Sequence, residues 1–213
     1  EKWGYGWKDV CKKYPKLIYA SASGFGQTGP LRELPAYDMV VQGMGGLMSV
    51  TGQPNSEPTR VGTSIGDITA GLFTAIGVNA ALYDRQKTGK GTYIDVSMLD
   101  CQIAILENAI ARYLSKKEIP KPMGSRHPSI APFEAFKTND SFIIIAAGND
   151  KLFEKLCVLL NISEISKDEK FNSNSSRSKN MDELKIILEK KLSSKTTSDW
   201  ISLMEKEKIP CGP

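Results

Sequence analysis

Histidine is nearly absent from this sequence: among 213 residues there is one, His127. A Ser-His-Asp triad or a histidine-built metal centre therefore has little to draw on, and no metal site is expected. Cysteine is sparse as well. Cys11, Cys101, Cys157 and Cys211 stand far apart and form no C-x-x-C pair. That spacing argues against zinc and suits a reducing compartment, where thiols behave as small apolar side chains. No apolar run reaches the ~18–20 residues that cross a bilayer, and the first residues lack a secretory pattern, so no membrane partner is expected. Neither sign of charge dominates: the net charge is +4 with 24% charged residues. No Lys/Arg stripe is interleaved with aromatics, so nucleic acid is not expected either. The GxxxxGK[ST] phosphate loop is missing. "GFGQTG" (24–29) spells the G-x-G-x-x-G dinucleotide fingerprint, but no helix clearly follows it.

What remains is a chain with 40% hydrophobic residues, enough for a core in one large domain or two small ones. It opens on "EKWGYGW" without Met and closes on "KIPCGP", which reads as a piece of a longer protein. After a lysine-rich, helix-like start, "KLIYASAS" (16–23) reads as a buried strand, and the glycine-rich "GFGQTGP" as a loop. Residues 37–52 have helical spacing broken by Gly43, Gly45 and Gly46, which suggests close packing or close approach to a ligand. Residues 67–91 read as a long helix, apolar nearly all round and hence buried, with Arg85 and Lys87 in its last turn and Gly89 just past its end. Residues 92–99 read as a strand and 99–114 as one amphipathic helix.

The character then changes. Residues 115–130 are proline-rich and aperiodic, a linker. Beyond it come a buried strand (141–149), a helix opened by an Asp150 cap, a polar loop (165–180) and two amphipathic helices (181–192 and 197–209). The expected organisation is α/β: residues 1–114 in a first domain, 115–130 as linker, 131–213 in a smaller α+β domain.

One acidic residue stands out. "TSIGDITAG" (63–71) sets Asp67 behind Gly66 and ahead of an apolar helix. The bland reading is a helix N-cap. That reading is compatible with chemistry, because a helix N-terminus favours an ionised carboxylate, and a carboxylate on an accessible turn can attack an electrophilic carbonyl.

These residues also carry a family resemblance. The run from "LIYASASGFGQTGP" through "PAYDMVVQGMGGLMSVTGQPNSEPTRVGTSIGDITAG" to "KTGKGTYIDVSMLD", then "HPSIAPFEAFKTNDSFIIIAAGND" and "IPCGP", resembles the family III CoA-transferases in order and spacing. Formyl-CoA, carnitine and succinyl-CoA:dicarboxylate enzymes belong to that group, and the motifs look most similar to the succinyl-CoA:glutarate type. The resemblance implies a Rossmann-like large domain, a small domain, an interlocked homodimer and an intracellular, cytoplasmic or mitochondrial enzyme. It implies coenzyme A thioester as substrate, with no permanently bound cofactor. It makes Asp67 the nucleophile, passing through an anhydride and an aspartyl-CoA thioester, with a backbone N–H near Gly66 or Gly71 steadying an oxyanion.

The same resemblance singles out further residues. Tyr37, thirty residues before Asp67, matches a tyrosine near the family's active site. The acyl-CoA racemases of this fold resemble it with a histidine there and an acid where this chain has Asn149. A racemase needs two acid/base groups, so Tyr37 and Asn149 argue against that alternative. Gly148, in "AAGND", falls where the family has a glycine-rich loop that closes over the nucleophile, although here Ala146 and Ala147 replace glycines. Arg126 is a candidate for the far carboxylate of a dicarboxylic acid and His127 for orienting it; a solvated Arg and a turn His are the bland alternative. Lys87 and Lys90 read as helix-end charges. A catalytically silent homologue is the remaining alternative.

Overall fold

A computed structural model describes residues 3–213. The chain divides into two compact units, one running up to Pro122 and one from Met123 to Pro213. The division falls inside the expected linker: Ser115 and Lys116 end a helix of the first unit, and 123–130 belong to the second.

In the first unit, α1 (Trp7–Lys13) precedes β1 (Tyr19–Ser23). The chain then crosses over through α2 (Asp38–Met44), α3 (Leu47–Val50) and α4 (Ile65–Thr88) to β2 (Tyr93–Ser97). β1 and β2 pair in parallel from Tyr19↔Tyr93 to Ser23↔Ser97, a geometry that requires such a crossover. Trp7 stacks on Tyr93 at 6.0 Å, with Tyr19 tilted beside both, so α1 closes over the strand starts. α5 (Met98–Ile105) and α6 (Glu107–Lys116) follow, and the single helix expected over 99–114 is broken at Leu106.

α4 corrects one expectation. Its apolar periphery is not buried in this chain: Leu72, Ile76 and Tyr83 are each about 60% exposed, and Gly66, Thr69, Ala70 and Ala81 are its buried residues. Length and composition alone would let this 24-residue helix cross a membrane, in contrast to the reading of the sequence. It packs against α2, α5 and both strands, carries Arg85 and Lys87 in its last turn, and ends at Gly89 with φ 68°.

The second unit is a three-stranded antiparallel sheet, β3 (Phe133–Lys137), β4 (Phe142–Ala146) and β5 (Cys211–Gly212), with β4 in the middle. α7 (Asp150–Leu159), a 3-10 turn (Ser163–Lys167), α8 (Asn174–Lys179), α9 (Met181–Leu192) and α10 (Thr197–Lys206) complete it. Ile143 and Ile145 enter the core with Phe136, Phe153, Leu156, Leu184, Leu188 and Met204. Phe142 and Ile144 remain exposed, so the apolar run 141–149 is a strand buried on one face rather than two.

Candidate active site

Asp67 is exposed in the first turn of α4. It is not the N-cap. The helix begins two residues earlier at Ile65, Ser64 takes the cap position, and Ser64 makes no side-chain cap hydrogen bond. The cap comes instead from α2: Asp38 Oδ1 accepts the Gly66 N–H at 2.8 Å. Asp38 is 8% exposed, and its Oδ2 accepts from Gln42 Nε2 at 2.8 Å. Gln42, fully buried, accepts the Val61 N–H at 2.9 Å through Oε1. Two side chains of α2 thus fix the approach to α4 at residues 61 and 66, one on each side of its start.

Gly66 is glycine because nothing larger fits. A Cβ there would lie 2.8 Å from Val41 Cγ2 and 3.0 Å from Asp38 Oδ1. The Gly66 N–H expected to be available to an oxyanion is therefore engaged by Asp38. Tyr37, at the cap position of α2, is 83% exposed, and its carbonyl accepts from Val40 and Val41. The adjacent Asp38 ties Tyr37 to the turn that carries Asp67, so Tyr37, Gly66 and Asp67 are brought together.

A pocket of about 310 Å³ opens where β1 and β2 end, lined by residues of the 25–31 loop together with Asp95, Ser97, Leu99 and Asp100. Asp95 accepts the Gln27 N–H with both carboxylate oxygens, at 3.0 and 2.9 Å. Neither Tyr37 nor Asp67 lines this pocket.

The second unit holds the other candidates on two adjoining segments. Asn149, not Asp150, caps α7: its Oδ1 accepts the Leu152 N–H at 2.9 Å, and Asp150 is the first helical residue. Gly148 precedes it in the turn from β4. Arg126 Nε donates to Glu134 at 3.0 Å and its Nη2 to Asp182 at 2.7 Å, so this guanidinium has two carboxylate partners of its own. Partial burial works against the Arg126 charge, but Asp182 and Glu134 more than offset it and hold the guanidinium above its ordinary pKa. Glu134 is 3% exposed and is also held by Lys185. His127 stacks on Phe133 at 5.2 Å, and its Nδ1 accepts the Ser129 N–H at 3.2 Å.

Sequence reasoning missed Asp38 and Gln42, whose polar side chains sit at i and i+4 in an otherwise apolar helix (that spacing was the available signal). It also missed Arg177, fully buried in a stretch read as a polar loop. Among the described residues, no group of three or more His, Cys, Asp or Glu side chains is arranged to hold a metal.

Residues 1–213 match the family described as CoA-transferase family III. Acetyl-CoA:oxalate CoA-transferase of Acetobacter aceti is 44% identical over 214 residues, covering all of this chain and 55% of that protein. Human succinyl-CoA:glutarate CoA-transferase is 38% identical over 210 residues, covering 99% of this chain and 48% of that protein. The crystal structure of a CAIB/BAIF family protein from Brucella suis matches with a TM-score of 0.84 at 41% identity, covering all of this chain and 56% of that one. The chain spans about half the length of the curated relatives it matches. A family match over the whole chain, the same fold in a solved relative and an α/β unit that presents an aspartate in a helix's first turn lead to one assignment: this chain belongs to CoA-transferase family III.

Proposed function

We propose that the protein carrying this chain moves CoA from an acyl-CoA donor, succinyl-CoA, to glutarate or another short dicarboxylate, with Asp67 as nucleophile. The observation that carries this reading is the exposed Asp67 carboxylate on a turn that α2 holds at two backbone positions. The Asp67 carboxylate attacks the donor thioester carbonyl and expels CoA thiolate, which forms a mixed anhydride. The thiolate attacks the aspartyl carbonyl, releases the donor acid and leaves an aspartyl-CoA thioester. The acceptor carboxylate then displaces the thiolate to form a second anhydride. Attack of the thiolate on the acceptor carbonyl frees Asp67 and the new thioester. A carboxylate suits this sequence because it both forms an anhydride and leaves from one.

Tyr37, Gly148 and Asn149 are assigned to contact with the acyl-CoA. Arg126 already serves Glu134 and Asp182, and His127 stacks on Phe133, so the part proposed for both is to hold their segment in shape. The relatives named for oxalate and for glutarate both support a dicarboxylate acceptor. The active enzyme is proposed to be a homodimer.

The test is a transfer assay with succinyl-CoA and acetyl-CoA as donors against a panel of mono- and dicarboxylates, followed by separation of the thioester products. New dicarboxyl-CoA product supports the reading. Loss of the donor's α-proton without any acceptor would point to a racemase and sink it.

A further inference from the structure

α8 has no apolar stripe, yet its Arg177 is fully buried. A buried guanidinium is tolerated when its donors are matched, and these are. Nε donates to the Ala131 carbonyl at 2.7 Å, Nη1 to the Phe171 carbonyl at 3.0 Å, and Nη2 to Asp150 Oδ1 at 2.8 Å. The guanidinium also lies over the Phe153 ring, 4.5 Å from its centroid. One turn earlier, Asn174 Oδ1 accepts the Ala131 N–H at 3.0 Å, and Asn174 Nδ2 donates to the Ser129 carbonyl at 2.9 Å.

Three of these partners, Ser129, Ala131 and Asp150, lie on the two segments, 126–132 and 147–150, that carry all four candidate residues of the second unit. The segments are also joined to each other, because the Ala147 N–H donates to the Pro132 carbonyl at 3.0 Å. Gly148 serves closeness: a Cβ there would meet Ile130 Cγ2 at 2.6 Å, and its backbone is not in the left-handed region. A glycine used for packing, between a buried Ala147 and a carboxylate held by a buried arginine, does not make a swinging loop.

We propose that Arg177 and Asn174 are positioning residues that hold the Gly148–Asn149 turn as a fixed wall for acyl-CoA, by clamping Ala131 on one side and Asp150 on the other. The inference rests on the proposed contact of that turn with acyl-CoA. It names what fixes the turn, and it predicts a rigid wall in place of a mobile lid.

Asp150 is largely exposed, so D150N loosens the clamp without opening the core. In the purified protein, hydrogen exchange at the Ala147 and Phe153 amides rises about tenfold, and the KM for the acyl-CoA donor rises about three- to tenfold with kcat held, as for loss of one charge-assisted hydrogen bond used equally in ground and transition states. D150E restores both. N174A moves both in the same direction. Long-range electrostatics alone would act oppositely, since removing a negative charge favours an anionic ligand. Faster exchange with unchanged KM overturns the proposal, and so does unchanged exchange. A kcat that falls with the folded fraction at constant KM marks a scaffold role alone and overturns it too. A wild-type protein that transfers no CoA refutes the functional reading instead, and that result is in hand before any variant is compared.

Discussion

From Met123 onward, eighteen described apolar residues form one buried cluster, from Ala131 to Ile209; up to Pro122 the corresponding cluster has five: Val41, Ala70, Val96, Met98 and Cys101. The second unit wraps four α-helices around one face of a sheet. Within this chain, which spans about half the length of the relatives it matches, the first leaves much of α4 and α2 exposed, including Met39, Met44, Leu72 and Ile76. The difference teaches where precision comes from in each. In the second unit it comes from packing. In the first, around Asp67, it comes from two hydrogen bonds, the Gly66 N–H to Asp38 and the Val61 N–H to Gln42.

The largest effect should be on the packed side. Leu184→Ala removes a fully buried side chain and costs about 2–5 kcal/mol, read as an earlier denaturation step for the second unit with the first unchanged. On the hydrogen-bonded side, Gly66→Ala pushes a methyl into Val41 and Asp38. It costs about 1–3 kcal/mol and lowers transfer by displacing the turn under Asp67, measured by denaturation and by kcat/KM.

A pH-dependent effect follows, also in the second unit. Thr197, through its N–H first and its hydroxyl, and Thr138 hold the Asp140 carboxylate below its ordinary pKa. A depressed folded pKa means stabilisation at neutral pH that is lost as pH falls through the folded value. Asp140→Asn therefore lowers the melting point at neutral pH, and the gap to wild type closes on acidification. The smallest effect belongs to the exposed face of α4. Leu72→Ser changes stability by no more than about 0.5 kcal/mol. A cost as large as that of Leu184→Ala would show that both units depend on packing alike.

Much of this was legible because periodicity reports burial. α9 and α10 follow their apolar spacing, and β4 its β-forming run. β3 was hidden because one of its two inward positions is Glu134, a buried carboxylate matched by Arg126 and Lys185 from elsewhere in the chain. α8 was hidden for the same kind of reason, since its buried residue is an arginine whose partners are distant in sequence. At the site, Asp67 was visible beside Gly66, but its cap was misassigned: the carboxylate that caps α4 lies 28 residues from Gly66. Asn149 took the cap expected of Asp150 because the chain enters α7 one residue earlier. Long-range polar pairing leaves no periodic trace, and it accounts for each of these misses except the last, a boundary shift of one residue.

The central claim is that Asp67 carries the acyl group and then CoA. Its most direct test is to incubate the protein with succinyl-CoA, trap with hydroxylamine and locate the modified residue by peptide mass spectrometry. The account predicts a hydroxamate at Asp67 that requires the donor and is absent from Asp67→Asn. CoA transfer that proceeds with Asp67 unmodified, or that survives Asp67→Asn, would contradict it.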